Sequence, residues 1–245
     1  MSNLKKYIVY QDDDLVALNK PSGLLSVPDR FDEQLPSLKK MLKDEFGEIF
    51  VIHRLDRDTS GLILFARNAD AHRYYSGIFE ERKVEKTYLG MVHGVLPQGQ
   101  GTIDKPIAPH FTVKGKMMVY RKGKNSITHF SVIEAFGLYS LVEFRIETGR
   151  THQIRVHMQD MGHPIVCDAL YGTEEPVLLS RIKRNYKLSK QEEEERPLLN
   201  RLALHSWKLG FTDTHGKSIS LEAELPKDMA AVLQQLRKVK IYPTK

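Results

Sequence analysis

Cysteine is nearly absent: Cys167 is the only one in 245 residues. A disulfide framework and a cysteine-rich zinc site are therefore excluded. The ten histidines do not fill the gap, because they are scattered. His152 and His157 are five apart, a spacing that does not align two ligands on one helix face. Long apolar runs are missing too. None approaches the roughly 20 residues a bilayer-spanning helix needs. The start of the chain, Met1-Ser2-Asn3-Leu4-Lys5-Lys6, has no apolar signal region, so the expected location is the cytoplasm. There is neither a P-loop nor a dinucleotide fingerprint, and no internal repeat. No metal is expected.

What is present is an ordinary globular composition, 41% hydrophobic and 28% charged. The length allows a sizeable core. The net charge is +6, from 37 Lys+Arg against 31 Asp+Glu. Such a surplus suits a polyanionic partner. It is uneven, because Gln191 to Glu195 holds four glutamates in a row, leaving the remainder more basic.

One stretch organises the rest: His53-Arg54-Leu55-Asp56-Arg57-Asp58-Thr59-Ser60-Gly61. The apolar, β-branched Ile49 to Ile52 before it reads as a strand, and the continuous apolar run Leu62 to Ala66 after it as a buried strand. A polar loop between two strands is a rigid place for chemistry. Asp56 and Asp58 are candidate nucleophiles or bases, and Arg54 and Arg57 candidate anion binders. The same residues also make a good plain turn, with Asp and Ser bonding to their own backbone and Gly taking positive φ.

Elsewhere, Tyr7–Tyr10 and Leu15–Asn19 form a hairpin across Gln11-Asp12-Asp13-Asp14, and Lys20-Pro21-Ser22-Gly23 is a Pro-first turn. Ser37 caps a helix from Leu38 to Phe46 that Gly47 ends. Ala69 to Arg82 is helical in pattern, and Lys83 to Val92 alternates as a strand. Ile103 to Lys124 is basic and turn-rich. Ser126–Ala135 and Leu138–Glu147 are two strands. Thr148-Gly149-Arg150-Thr151 turns into a helix from His152 to Met161. Its Ile154, Met158 and Met161 make an apolar stripe, with His152, Arg155 and Gln159 on a polar face. Residues 174–200 read as a polar, helix-prone, variable insertion. Leu202–Phe211 and Ser218–Glu224 are a final hairpin, and Asp228–Val239 a terminal helix that Pro226 opens. Strands dominate without regular strand-helix alternation. The expected class is α+β with a mixed, largely antiparallel sheet, as a single domain over residues 1–245.

Several of these pieces, in order, resemble the RluA-type pseudouridine synthases. They are Lys20-Pro21-Ser22-Gly23-Leu24-Leu25-Ser26-Val27-Pro28, then His53-Arg54-Leu55-Asp56 with Thr59-Ser60-Gly61, then Lys86-Thr87-Tyr88. Thr148-Gly149-Arg150-Thr151-His152-Gln153-Ile154-Arg155-Val156-His157-Met158 follows, then Gly162-His163-Pro164-Ile165 and Asp168. The match runs from about Ile8 to Leu204-His205. The resemblance implies the pseudouridine synthase fold, with a catalytic cleft across its sheet. It implies an isomerase that converts uridine to pseudouridine in ribosomal or transfer RNA without a cofactor.

Carried over by residue, Asp56 is the catalytic aspartate. Tyr88 is the active-site tyrosine that stacks on the base and is implicated in proton removal. Arg155 is the arginine paired with the aspartate, and Arg54 takes part in flipping the nucleotide. Lys20, Arg150 and His152 are further candidate RNA contacts, while Arg57 and Asp58 read as a loop ion pair or turn residues. His53 is structural or RNA-contacting at best. Many relatives carry an S4-like module before the first strand; none is expected here, since the catalytic pattern begins by Tyr7. RNA recognition then falls to the catalytic domain and its insertions. A monomer is expected, since no apolar stripe asks for a partner. Two other readings compete: a non-catalytic RNA-binding protein, which would predict damage at Asp56, Tyr88 or Arg155, and a hydrolase that removes a base. All three residues are intact.

Overall fold

The computed structural model describes residues 4–32, 34–183, 186–188 and 194–239. After a 3-10 turn at Lys5–Tyr7, the first half comprises β1 (Ile8–Gln11), β2 (Leu15–Lys20), α1 (Leu38–Phe46), β3 (Phe50–Val51), β4 (Ser60–Ala66), α2 (Ala69–Glu80) and β5 (Glu85–His93). Four strands follow: β6 (Gln100–Asp104), β7 (Ile107–Pro109), β8 (Met117–Val119) and β9 (Ile127–Ala135). Then come β10 (Tyr139–Ile146), α3 (Gln153–Asp160), α4 (Leu179–Ile182), β11 (Leu204–Thr212), β12 (Ser218–Glu222) and α5 (Lys227–Lys238). Among the described residues no helix is long and apolar enough to cross a membrane.

The chain packs as two compact units, each assembled from separate segments. The first takes Met1–Leu89, Arg145–Thr151 and Leu204–Glu224; the second takes Gly90–Phe144, His152–Ala203 and Leu225–Lys245.

In the first unit β4 is the central strand, buried at every residue, as its uninterrupted apolar run requires. β2 pairs with it antiparallel along one edge, from Leu15↔Ala66 to Lys20↔Gly61. Its other edge is shared. β11 runs parallel to it at Ser60 and Gly61, and β3 antiparallel at Phe65 and Ala66. β1 extends β2, and β12 extends β11, both antiparallel. The sheet is therefore mixed and largely antiparallel. One face buries Leu15, Ala17, Leu62 and Leu64 with Tyr75 and Ile78 of α2 and Leu209, Phe211 and Leu221 of the β11–β12 hairpin. α1 matches its expected bounds, because Ser37 Oγ accepts from the Lys40 N–H at 3.4 Å and Gly47 ends it at φ +80°.

Gly61 explains itself in the same way. Its φ is +109°, and a Cβ there would lie 2.1 Å from the Ser206 carbonyl oxygen. Only glycine lets β4 and β11 approach this closely.

In the second unit β6 pairs with β9 and β7 with β8, both antiparallel. α3 is buried from Gln153 to Met158 and exposed at Gln159 and Asp160; of the expected polar face Gln159 is exposed, whereas Arg155, like Gln153 and His157, is as buried as Ile154 and Met158. The buried polar side chains are tolerated because they have partners. Gln153 Nε2 donates to the Ile127 carbonyl and Thr128 Oγ1. The His157 ring bonds Thr128 Oγ1 at 2.9 Å and the Lys105 carbonyl at 3.0 Å. The segment 174–200 was expected to favour helix. Its described residues hold only the single turn α4 and a bridge between Val177 and Leu199, and Gln191 to Glu193 of the acidic run lie outside the described residues.

Candidate active site

The loop between β3 and β4 is held by its neighbours before it does any chemistry. Ser26 Oγ donates to the Leu55 carbonyl and accepts from the Leu55 N–H, at 2.9 and 3.2 Å. Ser22 Oγ donates to the Asp58 carbonyl, and Arg57 Nε to the Gly23 carbonyl. Arg57 and Asp58 are therefore turn residues that lock onto the Lys20–Gly23 turn rather than an ion pair with each other. Ser60 Oγ and His205 Nδ1 lie 3.0 Å apart where β4 meets β11.

Lys20 differs from its expectation. It is fully buried, and its ammonium donates to the carbonyls of Pro21, Leu24 and Arg57 at 3.0, 2.7 and 2.8 Å. A side chain with no exposed surface does not reach an outside ligand. Lys20 instead ties the first turn of the chain to the loop that carries Asp56.

Within the first unit an open cleft of about 1170 Å³ is bordered by Asp56, Arg54, His53, Tyr88, Lys86 and Arg150. Three segments wall it: the Leu25–Phe31 loop, α2 through Ser76, Phe79 and Glu80, and the end of β10 with its turn, Ile146 to Thr151. Arg54 is exposed, Asp56 half-buried and Tyr88 buried. Burial pushes the Tyr88 hydroxyl up to about 12; the Asp56 charge adds to the rise and the Ser206 side chain opposes it. Tyr88 is thus a neutral phenol near pH 7, within electrostatic reach of Asp56.

Two cleft residues carry more than the sequence suggests: Lys86, to which it gives no role, and His53, which it leaves as structural or RNA-contacting at best. Lys86 is buried, with its ammonium 5.8 Å from the centre of the Phe79 ring. Desolvation, with the charge of Arg82, holds it below the usual lysine range. His53 stacks on the other side chain of that set, Phe79, with centroids 4.6 Å apart and planes 19° from parallel. Burial, with the Lys86 charge, pushes the imidazole down to about 3. Lys86 stood in the Lys-Thr-Tyr segment without a role; its alternation with Tyr88 on one strand was the available signal.

Arg155 and His152 belong to the second unit. Arg155 is 7% exposed, so it is no surface salt bridge. Its Nε and Nη2 each donate to one oxygen of Asp168 at 2.8 Å, a bidentate pair. Asp168 Oδ1 also accepts from the Leu170 and Tyr171 N–H groups at 3.1 Å. The guanidinium lies 4.9 Å from the Tyr171 ring centre, and the Tyr171 hydroxyl is 2.8 Å from His152 Nδ1. Asp168 is thus the carboxylate that holds Arg155, a role thirteen residues of separation did not advertise. Among the described residues no three His, Cys, Asp or Glu side chains gather as metal ligands.

A fold with this mixed sheet and this loop is a pseudouridine synthase fold. The structure of human RNA pseudouridylate synthase domain containing 4 superposes with a TM-score of 0.73 at 26% identity, covering 96% of this chain and 94% of that one. The structure of human RNA pseudouridylate synthase domain containing 1 gives 0.67 at 27%, covering 95% and 94%. The family model described as RNA pseudouridylate synthase matches residues 14–160. The RNA pseudouridine synthase YlyB of Bacillus subtilis (strain 168) is 36% identical over 240 residues, 94% of this chain and 73% of the relative. Ribosomal large subunit pseudouridine synthase D of Nitrosomonas europaea is 35% identical over 238 residues, covering 94% and 65%. Dual-specificity RNA pseudouridine synthase RluA of Vibrio cholerae is 40% identical over 171 residues, covering 69% and 70%. The chain belongs to the RNA pseudouridylate synthase family, as a member of its RluA type, isomerases that act on uridine in RNA.

Proposed function

We propose that this chain isomerises a specific uridine of ribosomal or transfer RNA, with Asp56 as the catalytic carboxylate. The observation that carries the reading is the shared cleft: Asp56 and Tyr88 border it together with the cationic Arg54 and Arg150. The names of the relatives, one for the large ribosomal subunit and one of dual specificity, support the substrate class.

A stacked uridine must swing out before its glycosidic bond is reachable, at a cost of roughly a few kcal/mol. Exposed Arg54 is suited to fill the gap and hold phosphate, with Arg150 beside it. Asp56 then assists cleavage of the bond between ribose C1′ and uracil N1, whose electron pair leaves with the base. The base turns, C5 bonds to C1′, and the C5 proton departs as N1 is protonated. Tyr88, kept as a phenol, offers a stacking face worth on the order of 1–3 kcal/mol and a hydrogen-bond donor. Proton removal by Tyr88 would need its hydroxyl to pass its own proton on. Arg155, its guanidinium fixed by Asp168, is the remaining candidate of the catalytic set. The chain works as a cytoplasmic monomer, where ribosomal and transfer RNA are found.

The test is pseudouridine-specific mapping of total ribosomal and transfer RNA from cells with the protein, without it, and with Asp56→Ala. A site lost on deletion and not restored by Asp56→Ala is expected. An unchanged map in both strains would contradict the reading.

A further inference from the structure

His53 lies inside the cleft, yet its ring has an arrangement that the isomerase reading leaves unused. The Leu64 N–H of β4 donates to His53 Nε2 at 3.1 Å. An imidazole nitrogen that accepts from a backbone N–H carries no proton, so in the neutral ring the proton sits on Nδ1. The backbone of the central strand thus sets the tautomer. The ring is clamped as well as oriented, by stacking on Phe79. Nδ1 donates to no group among the described residues, and it is not sealed away in the protein either. The part of the side chain left accessible borders the cleft.

We propose that His53 is a substrate-contacting residue whose Nδ1–H donates a hydrogen bond to an uncharged acceptor of the bound uridine. This rests on the isomerase reading of the cleft and adds a contact to it. The cations of the site, Arg54 and Arg150 among them, suit phosphate. A donor that stays neutral suits a carbonyl or hydroxyl oxygen instead. Burial and the neighbouring Lys86 ammonium both keep the ring from taking a second proton, so this donor keeps its character across the physiological range.

The two nitrogens are separable by substitution. In His53→Gln the amide oxygen overlays Nε2 and keeps an acceptor for the Leu64 N–H, but the cleft donor is gone. In His53→Asn the amide nitrogen overlays Nδ1 and keeps the cleft donor, but Leu64 loses its acceptor. Both variants are checked by circular dichroism and assayed by tritium release from transcripts of large-subunit ribosomal RNA and transfer RNA carrying [5-3H]uridine. The expected result is a kcat/KM at least tenfold lower for His53→Gln than for His53→Asn. Equal values, or a greater loss in His53→Asn, overturn the proposal and make the ring a structural support of β4. Filter binding of the same transcripts against salt is the second readout. A neutral donor releases no counterion, so His53→Gln leaves the slope of log K against log salt unchanged. A slope reduced by nearly one overturns the proposal in favour of a phosphate contact. If the wild-type chain releases no tritium from any transcript, it is the substrate assignment that fails, and the variants are not what failed it.

Discussion

Replacing Lys20 by methionine separates two readings of one residue. As an RNA contact, Lys20 would contribute to affinity and to its salt dependence. As the structure has it, Lys20 is a buried clasp with three carbonyl partners at 2.7 to 3.0 Å. Hydrogen bonds from a charged donor contribute about 1.5–3 kcal/mol each, and an orphaned buried carbonyl costs about 1–3 kcal/mol. Methionine keeps the apolar stem and donates nothing. The Arg57 carbonyl would still accept from the Gly23 N–H at 2.9 Å, so Pro21 and Leu24 bear most of the loss. The expected destabilisation is about 3 kcal/mol by that reckoning, a shift in Tm of roughly 6–12 °C for a chain of this size. Urea unfolding measures the first and calorimetry the second. RNA binding, measured below the new midpoint, should keep its salt slope. A stability within about 0.5 kcal/mol of wild type, joined to a slope reduced by nearly one, would refute the clasp and restore the RNA contact.

Three other perturbations follow from the same geometry. Gly61→Ala places a methyl 2.1 Å from the Ser206 backbone oxygen, where no side chain can yield; it should cost about 3 kcal/mol or more and lower activity, read by urea unfolding and tritium release. Asp168→Asn removes the carboxylate charge that grips the buried Arg155 guanidinium in a bidentate pair; a loss of about 3 kcal/mol is expected, with Asp168→Glu milder, checked by thermal melts. The Tyr88 phenol is raised to about 12 in the folded chain, while in the unfolded chain it ionises near its ordinary value of 10.0. The unfolded state therefore loses its proton first, so this contribution to stability is full below pH 10 and falls as pH rises towards 12. Tyr88→Phe should have the shallower loss over that window in urea titrations; identical pH slopes would argue against it.

Much of this was legible because the deciding forces are local. Ser37 and Gly47 bracket α1 by capping and positive φ, both properties of single residues. The unbroken apolar run of β4 could only be a strand buried on both faces. The loop ahead of it could be picked out by its residue types, and Asp56, Arg54, Tyr88 and Arg150 do border one cleft. What was not legible depends on partners far away in the chain. Lys20 looks like any surface lysine until the Arg57 carbonyl meets it. Arg155 reads as part of a polar face with His152 and Gln159, because the pattern shows only its polarity; the groups that make its burial, and that of Gln153 and His157, tolerable come from Asp168, Thr128 and Lys105. Gly61 reads as a turn glycine; the strand that demands it, β11, lies at the other end of the sequence. Likewise the tautomer of His53 is set by a backbone N–H of the strand after its own loop.

The most direct measurement is tritium release by wild type and Asp56→Asn, side by side, on transcripts of ribosomal and transfer RNA labelled at uridine C5. Asparagine keeps the shape of the side chain and removes the charge and the nucleophile. The account expects release by the wild-type chain and none above background by Asp56→Asn, with both equally stable in urea to within about 1 kcal/mol. Release by Asp56→Asn at a rate near wild type would contradict it, because the bond between ribose and uracil would then be broken without the carboxylate at the centre of the site.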